Sequence, residues 1–252
     1  MGWLQGVVVE RKAWTESESH VSLRIDAPIG SFQPGQFVRL GLEVGDEIVG
    51  RPYSLVNAPA DPLLEVYFDV VPTGPLSPRL AALRRGDAVR VGTSPYGFLV
   101  LSEISGGSDL WLIASGTGVG PFVSIVTDGA LWARYDHVRV VHGVRHEAEL
   151  AYAERLQAVD VPAGKSYAYL PMLSRESRAD TLRGRIPPAI ADGRLQRAAE
   201  RGFDPACSRV MLCGNPAMVE DAMVALAGCG LHRHRRRAPG QILIEEYWSR
   251  PG

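Results

Sequence analysis

Short apolar runs separated by Gly- and Pro-rich punctuation occupy the first hundred residues. Residues 6–12, 20–26, 36–42, 48–55 and 64–71 are each rich in Val, Ile, Leu, Phe or Tyr. Pro28, Gly30, Pro34-Gly35, Gly45-Asp46 and the stretch from Pro59 to Pro62 divide them. Strands at such near-regular spacing predict an antiparallel sandwich or barrel. One helix interrupts the series, where Ser77-Pro78 precedes Arg79-Leu80-Ala81-Ala82-Leu83. Serine suits the N-cap there and proline the first helical position. Gly86-Asp87 then turns into a further strand over 88–92.

The period changes after residue 102. Compact apolar runs at 110–114, 138–142, 167–173 and 210–213 are followed by helical stretches at 121–132, 148–158 and 216–226. Strands alternating with helices predict a parallel sheet covered on both faces. Residues 102–108, carrying Ser105-Gly106-Gly107-Ser108, read as the linker. The predicted fold is therefore two-domain: an antiparallel β-barrel over 1–102, followed by an α/β parallel-sheet domain over 103–252.

Charge narrows the functional classes. The 252 residues hold 27 Lys plus Arg against 28 Asp plus Glu, and Lys12 and Lys165 are the only lysines. Near neutrality in both halves argues against a polycationic nucleic-acid binder. A composition 46% hydrophobic and 22% charged is that of an ordinary globular protein. No apolar run approaches the ~18 residues of a membrane span, and residues 1–12 lack the pattern of an export signal. Cys207, Cys213 and Cys229 form no C-x-x-C pair and are too few for a four-thiolate cluster or a disulfide framework. These features point to a reducing cytoplasm.

Chemistry enters at strand ends. The run ending at Ala114 continues as Ser115-Gly116-Thr117-Gly118-Val119-Gly120-Pro121. Alternating glycines let backbone approach a ligand, and a helix begun at Pro121 favours negative charge at its start. The string reads as a phosphate loop, although its spacing departs from G-x-G-x-x-G; the other reading is a tight turn whose glycines serve packing. The next strand ends at Val144-Arg145, where a dinucleotide fold often places an acid for a ribose diol and arginine suits a 2′-phosphate. Ser174-Arg175 closes the third strand, with Arg178, Arg183 and Arg185 close behind. Guanidinium pairs can hold a phosphate. Cys213-Gly214-Asn215-Pro216 repeats the strand-end theme and aims Cys213 at the same edge.

Arg51-Pro52-Tyr53-Ser54 ends a strand of the first half, and here the sequence becomes recognisable. With Gly74-Pro75-Leu76-Ser77-Pro78-Arg79-Leu80, the glycine loop, Ser174-Arg175-Glu176, Gly184-Arg185-Ile186-Pro187, Cys213-Gly214-Asn215-Pro216 and Glu245-Glu246-Tyr247-Trp248, the chain resembles the bacterial ferredoxin/flavodoxin–NADP reductases of the plant-type ferredoxin reductase superfamily. The resemblance covers nearly the whole chain in the right order. It implies that Arg51, Pro52, Tyr53, Ser54, Leu76 and Ser77 hold FAD, with the backbone after Tyr67 beneath the ring and Thr117 adjoining it. Gly116, Thr117, Gly118, Ser174, Gly214, Asn215 and Pro216 would contact NADP(H), and Arg145, Arg175 and Arg185 would clasp its 2′-phosphate. Tyr247 would cover one flavin face and Trp248 would stack on the adenine. Ser54, Cys213, Glu245 and Tyr247 would surround the point of hydride transfer. One departure is the tail Ser249-Arg250-Pro251-Gly252, since close relatives can end at the tryptophan.

The implied activity is hydride exchange between NADP(H) and FAD, with single electrons passing between FAD and ferredoxin or flavodoxin. His232-Arg233-His234-Arg235-Arg236-Arg237 is the densest charge run. It is either a solvated connection, a support for cofactor phosphates, or a docking segment that steers an acidic partner through Arg235 and Arg236. The reductase component of an oxygenase system shares these modules but often carries a fused iron–sulfur domain. A non-catalytic nucleotide-binding module would not need Ser54, Cys213, Glu245 and Tyr247 together. A serine hydrolase centred on Ser115 lacks the G-x-S-x-G elbow.

Overall fold

The computed structural model describes residues 2–246, with Glu246 described by its backbone alone. Tyr247, Trp248 and the tail 249–252 lie outside the described residues. Six antiparallel strands make the first sheet: β1 (Trp3–Ala13), β2 (His20–Asp26), β3 (Phe37–Val44), β4 (Glu47–Ser54), β5 (Leu64–Asp69) and β6 (Ala88–Gly92). Their order is β4-β3-β6-β1-β2-β5. The two outer strands meet where Leu55 bridges Val66 and the Val56 N–H donates to the Glu65 carbonyl at 2.8 Å. That contact curls the sheet into a barrel, whose inward residues, among them Leu23, Ile25, Leu40 and Val91, form one buried cluster.

The second sheet is parallel: β7 (Asp109–Ser115), β8 (His137–Val144), β9 (Ser166–Leu173), β10 (Leu182–Arg183), β11 (Ser208–Gly214) and β12 (Ile242–Glu246), in the order β10-β9-β8-β7-β11-β12. Along β7, Leu110, Leu112 and Ala114 enter one core, while Trp111 and Ile113 enter the core on the opposite face. Such alternation between two cores explains why the strand reads as a continuous apolar run. The first of these cores also takes Val56, Tyr67 and Leu99 from the barrel side, so the two sheets share packing. Helices α1 (Ser77–Ala81), α2 (Gly120–Asp128), α3 (Ala153–Gln157), α4 (Ile186–Ala191), α5 (Arg194–Ala198) and α6 (Pro216–Gly228) complete the chain. β7 lies at the point where the chain order of the sheet reverses, where α/β sheets open a crevice at their carboxyl edge.

Several boundaries differ from the sequence reading for local reasons. The Ser77 hydroxyl does not cap α1; it accepts from the Val71 N–H at 3.0 Å. The helix expected over 121–132 stops at Gly129, which takes φ 75°, and resumes as a short 3₁₀ turn. The stretch 148–158 is a 3₁₀ turn and the five-residue α3, separated at Tyr152 with φ 61°.

Candidate active site

The glycine loop after β7 is itself helical: residues Gly116–Val119 form a 3₁₀ turn that runs directly into α2, with Pro121 in the first helical turn. Two of its glycines are required for different reasons. Gly116 takes φ +56°, and a Cβ placed there would meet nothing within 4 Å, so this backbone faces open cleft. A Cβ on Gly118 would stand 2.5 Å from the Cys213 carbonyl oxygen, so the loop presses directly on the end of β11. Gly118 is therefore a packing glycine, whereas Gly116 belongs to the cleft wall.

The cleft, about 610 Å³, opens between the barrel and the carboxyl edge of the parallel sheet. Gly116, Thr117, Arg145, Ser174, Arg175 and Arg185 line it, with Gly214 and Asn215 beside them. The ends of β8 and β9 are tied together: the Ser174 N–H donates to Val144 O and the Arg175 N–H to Arg145 O, each at 3.0 Å. Arg185 sits in extended backbone just before α4. Among the described residues, none of these three guanidinium groups has a hydrogen-bond or ion-pair partner. Three unpartnered cations around exposed loop backbone are the charge pattern that a phosphorylated dinucleotide satisfies. Arg178 differs: it forms a bidentate pair with Asp180 at 2.6 and 2.7 Å and also pairs with Glu147. Neither it nor Arg183 lines the cleft.

Asn215 caps α6, its Oδ1 accepting from the Ala217 N–H at 2.9 Å, while Pro216 occupies the first turn and does not line the cleft. The Asn215 N–H donates to Ser115 Oγ at 3.0 Å, which joins the two loops that flank the crevice.

The barrel residues form a second group. Arg51 is exposed, its Nη1 donating to Gly50 O at 2.9 Å, and Pro52 is exposed beside it. Tyr53 packs edge-on against Phe68 with centroids 5.3 Å apart, and burial pushes its phenol up to about 12 against the pull of Arg51. Ser54 is buried, and its hydroxyl donates to Glu245 Oε2 at 3.5 Å. Glu245 sits on β12 in register with the buried Cys213 of β11. Burial raises the Glu245 carboxyl to about 7, although the Ser54 hydrogen bond favours its anion. Ser54, Glu245 and Cys213 thus converge from both sheets. Leu76 is buried in the barrel core, and Ser77 braces the backbone at Val71. Tyr67 packs among Trp14 and Tyr152, and its buried hydroxyl has no partner among the described residues. The exposed Arg51, the partly buried Tyr53 and the buried Ser54 at the end of β4, with the orphaned phenol of Tyr67 on β5, fit a polar aromatic cofactor such as a flavin.

Three polar residues were not foreseen. His20 Nε2 donates to Asp69 Oδ1 at 3.0 Å, and the Thr117 hydroxyl donates to Asp69 Oδ2 at 3.0 Å, so β2, β5 and the glycine loop are pinned together. His142 is fully buried beneath the loop. The His20–Asp69 pair depends on strand register, which has no local signature, whereas His142 was visible as a polar residue interrupting the apolar run of β8 at the loop's edge.

The fold and cleft define a two-module nucleotide protein: an antiparallel barrel joined to a dinucleotide-type sheet, with a cationic crevice at the junction. Residues 112–223 match the oxidoreductase NAD-binding domain family model. The chain is 40% identical over 247 residues to a flavodoxin/ferredoxin–NADP reductase of Shigella flexneri, covering 98% of this chain and 99% of that one. It is 35% identical over 224 residues to a ferredoxin–NADP reductase of Pseudomonas aeruginosa, covering 85% and 86%. The crystal structure of a ferredoxin NADP+ reductase from Neisseria gonorrhoeae with bound FAD and NADP superposes with a TM-score of 0.92, at 30% identity, over 98% of this chain and 100% of that one. This chain belongs to the flavodoxin/ferredoxin–NADP reductase family.

Proposed function

We propose that the protein is an FAD-dependent oxidoreductase exchanging hydride with NADP(H) and single electrons with ferredoxin or flavodoxin. The observation that carries this reading is the trio Arg145, Arg175 and Arg185, unpartnered among the described residues, around a cleft walled by Gly116 and Thr117. Full-length family membership supports it. The division into 1–102 and 103–252 follows the same reading, supported by the spans of the two sheets.

The arginines bind the 2′-phosphate of NADP(H), and the loop backbone binds the pyrophosphate. Arg51, Tyr53, Ser54, Leu76 and Ser77 would hold FAD, together with the backbone after Tyr67. Bound FAD supplies the conversion between a two-electron hydride and single electrons, which no side chain performs. Ser54, Cys213 and Glu245 orient the reacting atoms and exclude water. Glu245 carries a proton on the acid side of pH 7 and presents an anion to Ser54 on the alkaline side. Tyr247 and Trp248 complete the proposal as the ring cover and the adenine platform.

An electron-transfer partner docks, in this reading, on the basic run at 232–237. Arg236 is already committed: it pairs with Glu103 at 2.8 and 3.1 Å and lies 4.5 Å over Phe98. Arg235 and Arg237 are exposed, and Phe98, under Arg236, is 62% exposed, so an apolar group lies against the basic run. Among the described residues no helix is long and apolar enough to cross a membrane; a cytoplasmic setting and the absence of nucleic-acid partners belong to the proposal. Titrating the purified apoprotein with FAD tests the cofactor assignment: saturation at one FAD per chain with a flavin absorption spectrum supports it, and failure to bind overturns it.

A further inference from the structure

His142 lies on β8 under the glycine loop, with no solvent exposure. Its two ring nitrogens face different partners: Nε2 is 3.2 Å from Gly116 O, and Nδ1 is 3.2 Å from the Tyr169 hydroxyl. A carbonyl only accepts, so Nε2 carries the proton and donates to Gly116. Nδ1 is then bare and accepts from Tyr169, whose phenol burial keeps protonated. Burial also holds the imidazole pKa down at about 4, so the ring remains a neutral, single tautomer through the ordinary pH range.

The consequence lies on the far side of the peptide. Gly116 O and the Thr117 N–H belong to one trans peptide group, and they point in opposite directions. With the carbonyl drawn inward to His142, the Thr117 amide is turned outward, toward the cleft that Gly116 and Thr117 line. This amide stands at the start of a helical turn, where no intrahelical acceptor exists for it. Gly116 reaches the necessary conformation at φ +56°. Thr117 is fixed independently by its hydroxyl bond to Asp69.

We propose that His142 is a positioning residue that presets the 116–117 peptide so that the Thr117 amide donates to the pyrophosphate of NADP(H), Tyr169 holding the imidazole in the required tautomer. The inference rests on the cleft being the NADP(H) site. His142 touches no ligand; it acts through the loop, and it leaves the arginine clamp alone.

Calorimetric titration of the FAD-loaded protein with two ligands tests this. NADP+ carries the pyrophosphate, whereas adenosine 2′-monophosphate carries only the phosphate that the arginines hold. His142→Phe should weaken NADP+ by about tenfold, the worth of one oriented hydrogen bond, while adenosine 2′-monophosphate stays within about twofold. His142→Gln, which keeps an N–H near the Nε2 position, should recover most of the NADP+ affinity, and Tyr169→Phe should lose an intermediate share. Turnover should show KM for NADPH rising more than kcat falls. Equal weakening of both ligands in folded His142→Gln, or unchanged NADP+ binding in His142→Phe, would overturn the proposal. A wild-type protein that binds neither ligand would instead overturn the assignment of the cleft.

Discussion

Arg175 lies two residues beyond the end of β9, and its guanidinium lines the cleft without a partner among the described residues. Removing it takes away charge-assisted bonds to a group that NADPH has and NADH lacks. Arg175→Ala should therefore weaken NADPH by about 10- to 100-fold and NADH by less than about twofold; an equal loss for both would remove Arg175 from the 2′-phosphate site. Glu245 offers a second single-residue test. Its carboxyl is raised to about 7, so it is neutral below that pH and ionises above it. An anion beside Ser54 opposes the arrival of a hydride, so flavin reduction by NADPH should slow as pH rises through about 7. Glu245→Gln mimics the protonated form and should keep the acid-side rate with a flat profile between pH 6 and about 8. Rapid-mixing absorbance across that range checks it. Arg145 and Arg175 were legible because each follows an apolar strand within two residues, whereas Arg185 was marked by the family segment Gly184-Arg185-Ile186-Pro187. Arg178 looked equivalent, and only the fold shows it consumed by Glu147 and Asp180.

At the scale of elements, the glycine loop makes a graded prediction. Gly118→Ala forces a Cβ against the Cys213 carbonyl and the Gly214 Cα, at 2.5 and 2.7 Å, and neither contact can swing away. A loss of about 1–3 kcal/mol is expected, as for overpacking generally. Gly116→Ala meets open space and bears only the left-handed backbone strain, about 1 kcal/mol. Urea denaturation should rank them in that order, and the reverse order would contradict the packing role of Gly118. The loop itself was plain in the sequence, since strand, glycines and helix are contiguous. Other elements were not. α4 begins with Ile186-Pro187-Pro188, which reads as a break until both prolines are found in the first helical turn, where proline fits. β10 has two residues and no local signal, and exists only through its pairing with β9.

For the whole molecule, the change of hydrophobic period revealed two modules, but not how they lock. Tyr152 donates to the buried Glu65 at 2.7 Å, Arg155 approaches the same carboxylate at 3.3 Å, and Ser124 donates to Asn57 O at 2.7 Å. These contacts join residues 67 to 90 apart in sequence, beyond any local pattern. The basic run was legible as charge, whereas the pairing of Arg236 with Glu103 required the assembled chain. Docking should consequently depend more on Arg235. Arg235→Gln should lower electron transfer to an acidic ferredoxin or flavodoxin and flatten its salt dependence; an unaltered salt dependence would remove the run from the docking surface.

The most direct test of the central claim is the bleaching of the bound flavin when the FAD-loaded protein is mixed, without oxygen, with NADPH or with NADH. NADPH should bleach the flavin fast at low concentrations and NADH at least about tenfold more weakly, because only NADPH engages the three arginines. Flavin that neither nucleotide bleaches, or that both bleach with equal concentration dependence, would contradict it.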